Sequence, residues 1–436
     1  LSHFQYEGKS MLDQSLLNQS RAGLSEIEAE YIASSLLKLC PTVSPQQTNL
    51  EVTKLLDEHH DLISIAVVEN GKPVGLISRN IFMEGMAKPF HHDLFDRKSC
   101  IAFMDKSPLI VDQNMSIQTL SFKVLGSGRK TINDGFIITD EQGDYLGLGT
   151  GEDLIKVVSF LQAEKNRLVT ESINYASIIQ KSFLRSSRED MSVVLQDYFM
   201  HWEPRDKVGG DYYFCKKFDD GFFLALIDCT GHGVPGAFMT LIMASFLDHI
   251  LLDDNRHDPA GALAIMNKKV KMALGQINEA GTEGIDFDRF SSAQNGQSDD
   301  GMDTAFCWVN TKNDTLTYAG AKTPLFYIGN ESSDVHLLDP DRKGVGYIDT
   351  PMDYQWTNQQ LQLTKGMCLY LTTDGIIDQI GGLKKIAFGK KRFSGLIQEN
   401  YLKPMPEQES IVMQAYYDYQ GKQKRRDDVC LMGFRF

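Results

Sequence analysis

The chain has 436 residues, 42% hydrophobic and 23% charged, enough for two or three domains that each bury a core. Acidic residues outnumber basic ones 58 to 44, a net charge of −14. That balance, with no basic stretch longer than Lys424-Arg-Arg, argues against a nucleic-acid or anionic-membrane surface. The seven cysteines are scattered, odd in number and free of any C-x-x-C pair. Such usage suits a reducing compartment, so a cytoplasmic location is expected. The most apolar helical run, residues 238–252, carries Asp248 and His249 and reads as too short to cross a bilayer, so no membrane segment is expected. No signal peptide is visible, and a start at Leu1 rather than Met suggests natural residues upstream.

In chain order, residues 1–37 read as a polar, partly helical lead-in. Residues 38–160 then carry one pattern twice. The first copy has Pro41-Thr-Val-Ser-Pro, a helix near 49–58, a strand at 63–68, the turn Glu69-Asn-Gly-Lys and a strand at 74–78. The second has Pro108-Leu-Ile-Val, a helix near 116–125, a strand at 135–139, the turn Asp140-Glu-Gln-Gly and then Tyr145-Leu-Gly-Leu-Gly-Thr. Alternating apolar residues around a Gly-containing turn predict a hairpin in each copy, followed by an apolar helix. The duplication is best read as one structural unit. Residues 161–189 predict a linker helix, its pattern starting at 160. Leu161, Leu168, Tyr175 and Ser182 fall seven apart, with Ile178, Ile179 and Phe183 on the same side. Seven-residue spacing suits a helix pair, so a homodimer through this helix and the duplicated unit is expected.

From 190 to 436 strands dominate. Segments 222–228, 303–310, 315–321, 324–329, 367–373 and 429–436 are rich in β-branched and aromatic residues. Helices are predicted after Gly233-Val-Pro-Gly and over 259–274. Strands grouped with helices, without strict alternation, indicate an α+β fold. The polar stretch 276–301 is long enough to be a functional loop, expected to border a protein substrate.

Four aspartates stand at or near the ends of predicted strands: Asp211 in Val208-Gly-Gly-Asp-Tyr-Tyr, Asp228 in Asp-Cys-Thr-Gly-His-Gly, Asp374 in Thr372-Thr-Asp-Gly, and Asp427 in Arg426-Asp-Asp-Val-Cys. Converging carboxylates without a His or Cys set favour hard divalent cations. Second-tier candidates are Gly210, His232, Asp303, Asp378 and Asp428. Each has a plainer reading: Asp374-Gly375 is also a common turn, Asp427-Asp428 a solvated pair, and His232 a turn residue before a helix.

The order and wording of these stretches resemble the metal-dependent type-2C (PPM) serine/threonine phosphatases, in their bacterial SpoIIE/RsbU-like branch. Ile178-Ile-Gln-Lys-Ser-Phe-Leu is similar to the lead-in of that domain, and residues 38–160 resemble a CBS-domain pair. The resemblance implies an α+β protein: a CBS-domain pair, a helical linker and an α/β/β/α sandwich. It implies two Mn²⁺ or Mg²⁺ ions, with Asp228 bridging them and the Cys229 backbone carbonyl on one. Asp374 and Asp427 would hold the other, and Asp211 would act directly or through water. Asp427 is preferred to Asp428 because it matches the branch's D-D/N-x-T pattern, with Cys430 in place of Thr. The implied reaction is direct attack of an activated water on a phosphorylated protein substrate, such as a STAS-type anti-sigma antagonist. Two departures stand out. Thr230 occupies the place of a His in eukaryotic relatives, and Gly320-Ala-Lys-Thr replaces their Gly-Asp-Ser-Arg, so a third tightly held metal is not expected. In the CBS unit, Gly147, Thr150 and Asp153 have the spacing that holds the ribose of an adenine nucleotide, whereas the first copy has Ile81 where the acid belongs. A unit that only packs or dimerises is the equal alternative. For the whole chain, the alternative is a non-catalytic nucleotide-sensing scaffold.

Overall fold

A computed structural model describes residues 31–252, 255–276, 299–330 and 332–436. Most of the expected lead-in and most of the polar loop at 276–301 therefore lie outside the described residues. The chain divides into two compact units, Leu1–Thr170 and Glu171–Phe436.

The first unit repeats one small topology. Strands β1 (Thr42–Val43), β2 (Ser64–Glu69) and β3 (Lys72–Ser78) form one sheet, and β4 (Ile110–Asp112), β5 (Phe136–Thr139) and β6 (Tyr145–Gly149) form another. In each, the first two strands run parallel and the last two antiparallel. Even the irregularity recurs, at Val67/Val68 and at Ile138/Thr139. Ala66 and Leu76 of one copy share a buried cluster with Ile137 and Leu148 of the other.

One helix of 44 residues, Gly151–Val194, follows. It joins into one element the apolar helix expected after the second hairpin and the linker helix expected from 160, and Thr150 caps its start: its Oγ1 accepts the Asp153 amide at 3.1 Å. No Pro or Gly interrupts residues 152–203, so nothing stops the helix before Val194. Leu154 and Val157 are buried in the core of the first unit, and Leu184 and Met191 in that of the second. Between them Tyr175 and Ile178 are 67% and 65% exposed, an apolar seam facing solvent.

The second unit holds β7 (Asp197–Glu203), β8 (Asp211–Phe218), β9 (Gly221–Cys229), β10 (Met302–Asn310), β11 (Thr315–Ala321) and β12 (Leu325–Ile328). Further along are β13 (Val335–Leu338), β14 (Gln359–Gln362), β15 (Cys368–Thr372), β16 (Ile380–Gly381), β17 (Ile386–Ala387) and β18 (Val429–Arg435). Two five-stranded antiparallel sheets result, ordered β14-β11-β10-β9-β8 and β13-β12-β15-β18-β7. Side chains alternate between two cores, as a strand's period of two requires. Leu369, Leu371, Met432 and Phe434 join Leu224, Leu226 and Phe306 of the first sheet. Tyr370 and Leu431 turn the other way, onto Phe393, Val412 and Tyr416 of helices Lys390–Asn400 and Met405–Gln420. A one-residue slip would swap these faces, so burial fixes the register that delivers the residues after Thr372 and before Val429. Helices Gly233–Leu252 and Pro259–Ala273 contribute Met243, Leu247, Leu263 and Val270 to the core with the first sheet. The layers run helix, sheet, sheet, helix.

The sequence reading missed β7, β8, β13, β14, β16 and β17 and the two helices after Gly389. It also took the run at 238–252 as too short to span a bilayer. The helix begins earlier, and Gly233–Leu251, 19 residues, is long and apolar enough by length and composition, but half of that window is buried in the protein.

Candidate active site

Asp211 opens β8, Asp228 is the penultimate residue of β9 and Asp303 is the second residue of β10. The register makes Asp228 the direct partner of Asp211 on one side and of Asp303 on the other. Direct antiparallel partners project to the same face about 4.5–5.5 Å apart. Three carboxylates thus lie in a row across one end of the first sheet. The second sheet adds to the same end. Thr373 and Asp374 follow β15, and Asp427 and Asp428 precede β18. Thr373 Oγ1 donates to Asp211 Oδ2 at 2.7 Å, which ties the two sheets together beside the row.

Like charges at this density oppose one another. Burial pushes the Asp211 carboxyl well above the usual range, and Asp428, Asp374 and Asp427 raise it further, although the Thr373 hydrogen bond favours the ionised form. Burial also raises Asp228, with Asp211, Asp374, Asp427 and Asp303 adding to it. Asp374 reaches solvent, yet partial desolvation, then Asp427 and Asp378, push it up to about 6. In each case burial is the larger cause and the neighbouring carboxylates add to it.

The neighbouring pair Asp427-Asp428 divides its tasks. Asp428 is 2% exposed and its two oxygens accept the backbone amides of Arg205 and Gly210, each at 2.6 Å. Asp427 is half-buried, accepts only the Asp428 amide at 2.9 Å among the described bonds, and acts on Asp374. Glycine is required at 209, where a Cβ would lie 2.6 Å from the Asp428 carboxyl carbon. It is required at 210 too, where a Cβ would lie 2.5 Å from Gly231 O and 2.8 Å from Cys229 O. The backbone of Cys229 is bound to this loop, its amide donating to Gly210 O at 3.0 Å. Its buried thiol is pushed up by burial and by Asp228, which makes it inert.

Of the remaining candidates, His232 and Asp378 sit at the rim. His232 is exposed, with Nδ1 2.6 Å from Arg205 Nη2 and 3.2 Å from Asp206 Oδ2. Asp378 is exposed, and its amide closes the turn onto Asp374 O at 2.7 Å. Asp303 pairs with Lys322 Nζ at 3.1 Å.

Sequence reasoning gave no role to two positioning residues. Thr373 was quoted only as the residue before Asp374 and the end of a strand. Gln180, within the lead-in segment, is 1% exposed and grips the Val208-Gly-Gly loop. Its Nε2 donates to Gly209 O at 2.7 Å and to Thr240 Oγ1 at 3.0 Å, and its Oε1 accepts the Gly209 amide at 3.3 Å. Only an apolar rhythm broken by one Gln hinted at it. A cavity of about 670 Å³, lined by Phe183, Tyr212, Lys216 and Asp248 among others, holds none of the clustered carboxylates.

Among the described residues no three His, Cys, Asp or Glu side chains already close into a metal cage. The cluster is open, its donors are carboxylate oxygens and backbone carbonyls, and Lys322 is paired with only one of its carboxylates, Asp303. That chemistry fits Mg²⁺ or Mn²⁺ and not a thiolate- or imidazole-seeking metal.

In the first unit Thr150, Asp153 and Gly147 are engaged with the chain itself. Thr150 Oγ1 donates to Asp153 Oδ2 at 2.6 Å, Lys38 Nζ lies 2.5 Å from that oxygen, and a Cβ at Gly147 would meet Lys38 O at 2.5 Å.

A sandwich of this kind, with acidic residues from both sheets at one end, has the fold of the PP2C-type serine phosphatases. The family model for Stage II sporulation protein E (SpoIIE) matches residues 219–436, half of the chain, and the CBS domain model matches residues 38–88. The chain belongs to the SpoIIE family and carries CBS sequence ahead of the phosphatase fold. The SiaA-PP2C domain of Pseudomonas aeruginosa is 30% identical over 63% of this chain and 99% of its own, with a TM-score of 0.53. The PP2C phosphatase domain of SpoIIE from Bacillus subtilis, with a fragment of its regulatory domain, is 15% identical over 55% of this chain and 63% of its own, with a TM-score of 0.41. RsbX, in a structure described as a complex with magnesium, is 13% identical over 55% of this chain and 94% of its own, with a TM-score of 0.35. Among curated proteins no sequence match was found.

Proposed function

We propose that the chain is a metal-dependent phosphoserine/phosphothreonine protein phosphatase of intracellular signalling. The observation that carries this reading is the row Asp211–Asp228–Asp303 faced by Asp374 and Asp427, in a member of the SpoIIE family. Asp211, Asp228, Asp374, Asp427 and the Cys229 carbonyl would hold two Mn²⁺ or Mg²⁺ ions, whose charge lowers the pKa of a water and neutralises phosphoryl oxygens. The chain's own part is placement. Thr373 orients Asp211, Asp428 pins the Gly209-Gly210 turn, and Gln180 holds that turn from the linker helix. The long helix would carry the state of the CBS unit to the site, with its exposed seam pairing two copies. The substrate would be a signalling phosphoprotein, of which a STAS-type antagonist is the family's example. An adenine nucleotide at Gly147, Thr150 and Asp153 would have to displace the Lys38 ammonium from Asp153.

The competing reading is a scaffold that binds partners without turnover, and the open spacing of the carboxylates favours it. Hydrolysis of an aryl phosphate by the full chain with Mn²⁺, Mg²⁺ or chelator separates the two. Turnover that chelator abolishes supports the enzyme. No turnover, either in the full chain or with phosphorylated STAS substrates, leaves the scaffold.

A further inference from the structure

Lys322 stands beside the carboxylate row, paired with Asp303. It lies in the Gly320-Ala-Lys-Thr segment between β11 and β12 and has a left-handed backbone, φ +61°. Non-glycine residues avoid that region, and here the residue is neither Asn nor Asp, which tolerate it best. Its backbone is fixed on both sides: the Lys322 amide donates to Asp341 O at 2.9 Å, and the Asp341 amide donates back to Gly320 O at 2.9 Å. The side chain is directed inward. Nζ lies 3.1 Å from Asp303 Oδ1 and 4.1 Å from the centre of the Tyr347 ring. Tyr347 is itself held by Lys271, whose Nζ donates to its carbonyl at 2.6 Å. Yet the Lys322 side chain is 42% exposed, so it is reachable from solvent.

A pair this open adds little to stability, and a glycine would form the same turn without strain. What the strained lysine adds is a positive charge beside Asp303, one strand from Asp228. A phosphomonoester is a dianion and must approach a cluster that repels anions. Resting on the phosphatase reading above, we infer that Lys322 is a substrate-positioning residue: its ammonium, steered by Asp303 and Tyr347, binds a peripheral oxygen of the substrate phosphoryl group and of the phosphate product. The contact is a charge-assisted hydrogen bond to an oxyanion and needs no proton transfer.

The test uses the full chain with Mn²⁺, aryl phosphate as substrate and inorganic phosphate as probe. Lys322→Gly removes the charge and the backbone strain together, so its melting temperature is expected to equal or exceed the wild-type value. KM for the aryl phosphate and the inhibition constant for phosphate are each expected to rise about tenfold, the loss of one hydrogen bond to a charged group. The rise in melting temperature that phosphate induces should shrink in parallel. Lys322→Arg is expected to restore most of the phosphate affinity. A Lys322→Gly variant that binds phosphate like wild type would overturn the inference while leaving the phosphatase intact, whether or not its stability fell. A wild-type protein with no Mn²⁺-dependent turnover would overturn both.

Discussion

Gln180 offers the sharpest perturbation of how the linker helix meets the acidic cluster. It is 1% exposed, and its three hydrogen bonds go to Gly209 O, Gly209 N and Thr240 Oγ1. Leucine fills nearly the same volume but leaves both polar groups of the buried Gly209 without that partner. Each orphaned group costs about 1–3 kcal/mol, and the 3.3 Å bond from the Gly209 amide is the weaker of the two, so Gln180→Leu should cost about 2–4 kcal/mol. The loop cannot recover by sliding, because Gly209 already lies against the Asp428 carboxylate and Gly210 against two carbonyls. The cost therefore falls on the segment leading into Asp211. Hydrogen exchange should show amides 209–211 opening faster, and Mn²⁺-dependent turnover should fall at least ~10-fold, with exchange in β15 unchanged. Unchanged exchange at 209–211 together with full turnover would refute the idea that the helix holds this loop.

Asp428→Ala should destabilise the protein by about 2–4 kcal/mol in thermal or urea melts, since the buried Gly210 amide and the part-buried Arg205 amide lose a charged acceptor. Asp427→Asn should leave stability within about 1 kcal/mol but lower Mn²⁺ affinity, measured by calorimetry. Because Asp374 is pushed up to about 6, protons compete for it below that pH, so Mn²⁺ affinity should fall as pH drops through about 6. A flat affinity from pH 7.5 to 5.5 would contradict that. His201 is half-buried. Burial lowers its pKa, but hydrogen bonds to Glu409 and Glu203, at 3.0 and 3.2 Å, outweigh this and raise it above 6.5. Its contribution to stability is therefore complete below about 6.5 and is lost as pH rises through the higher folded value. Melting temperatures of wild type and His201→Gln should converge at alkaline pH and separate at pH 6.

What could be read in the sequence was whatever carries its own local grammar. The duplicated hairpins of the first unit were legible because each has alternating apolar residues around a Gly turn. Their shared bulge was not, since it arises from pairing. Strand Gln359–Gln362 was invisible because an edge strand of Gln-Gln-Leu-Gln needs no apolar alternation. The continuity of the long helix was not legible, since its first turns read as a separate helix after the second hairpin; Thr150 and Asp153, weighed as ligand residues, cap it in the folded chain. Asp211, Asp228 and Asp374 announced themselves by their glycine neighbours and Asp427-Asp428 as a doublet before a strand, but the division of labour in that doublet was not legible. That Asp428 serves loop amides and Asp427 faces Asp374 depends on where residues 205–210 return, more than two hundred positions away. Gln180 and Lys322 were hidden for the same reason: one looked like a polar interruption of a helix and the other like a lost acid.

The central claim is that the carboxylate row is a divalent-metal hydrolytic site. The most direct measurement is calorimetric titration of Mn²⁺ into chelator-treated wild type and Asp228→Asn, with aryl phosphate hydrolysis followed in the same samples. The account predicts about two ions bound per wild-type chain and turnover that appears with them. In Asp228→Asn, binding should weaken at least ~100-fold and turnover should vanish, while the metal-free protein is no less stable, because a repelling charge has been removed. Equal Mn²⁺ binding by the two proteins, or turnover that survives the chelator, would contradict it.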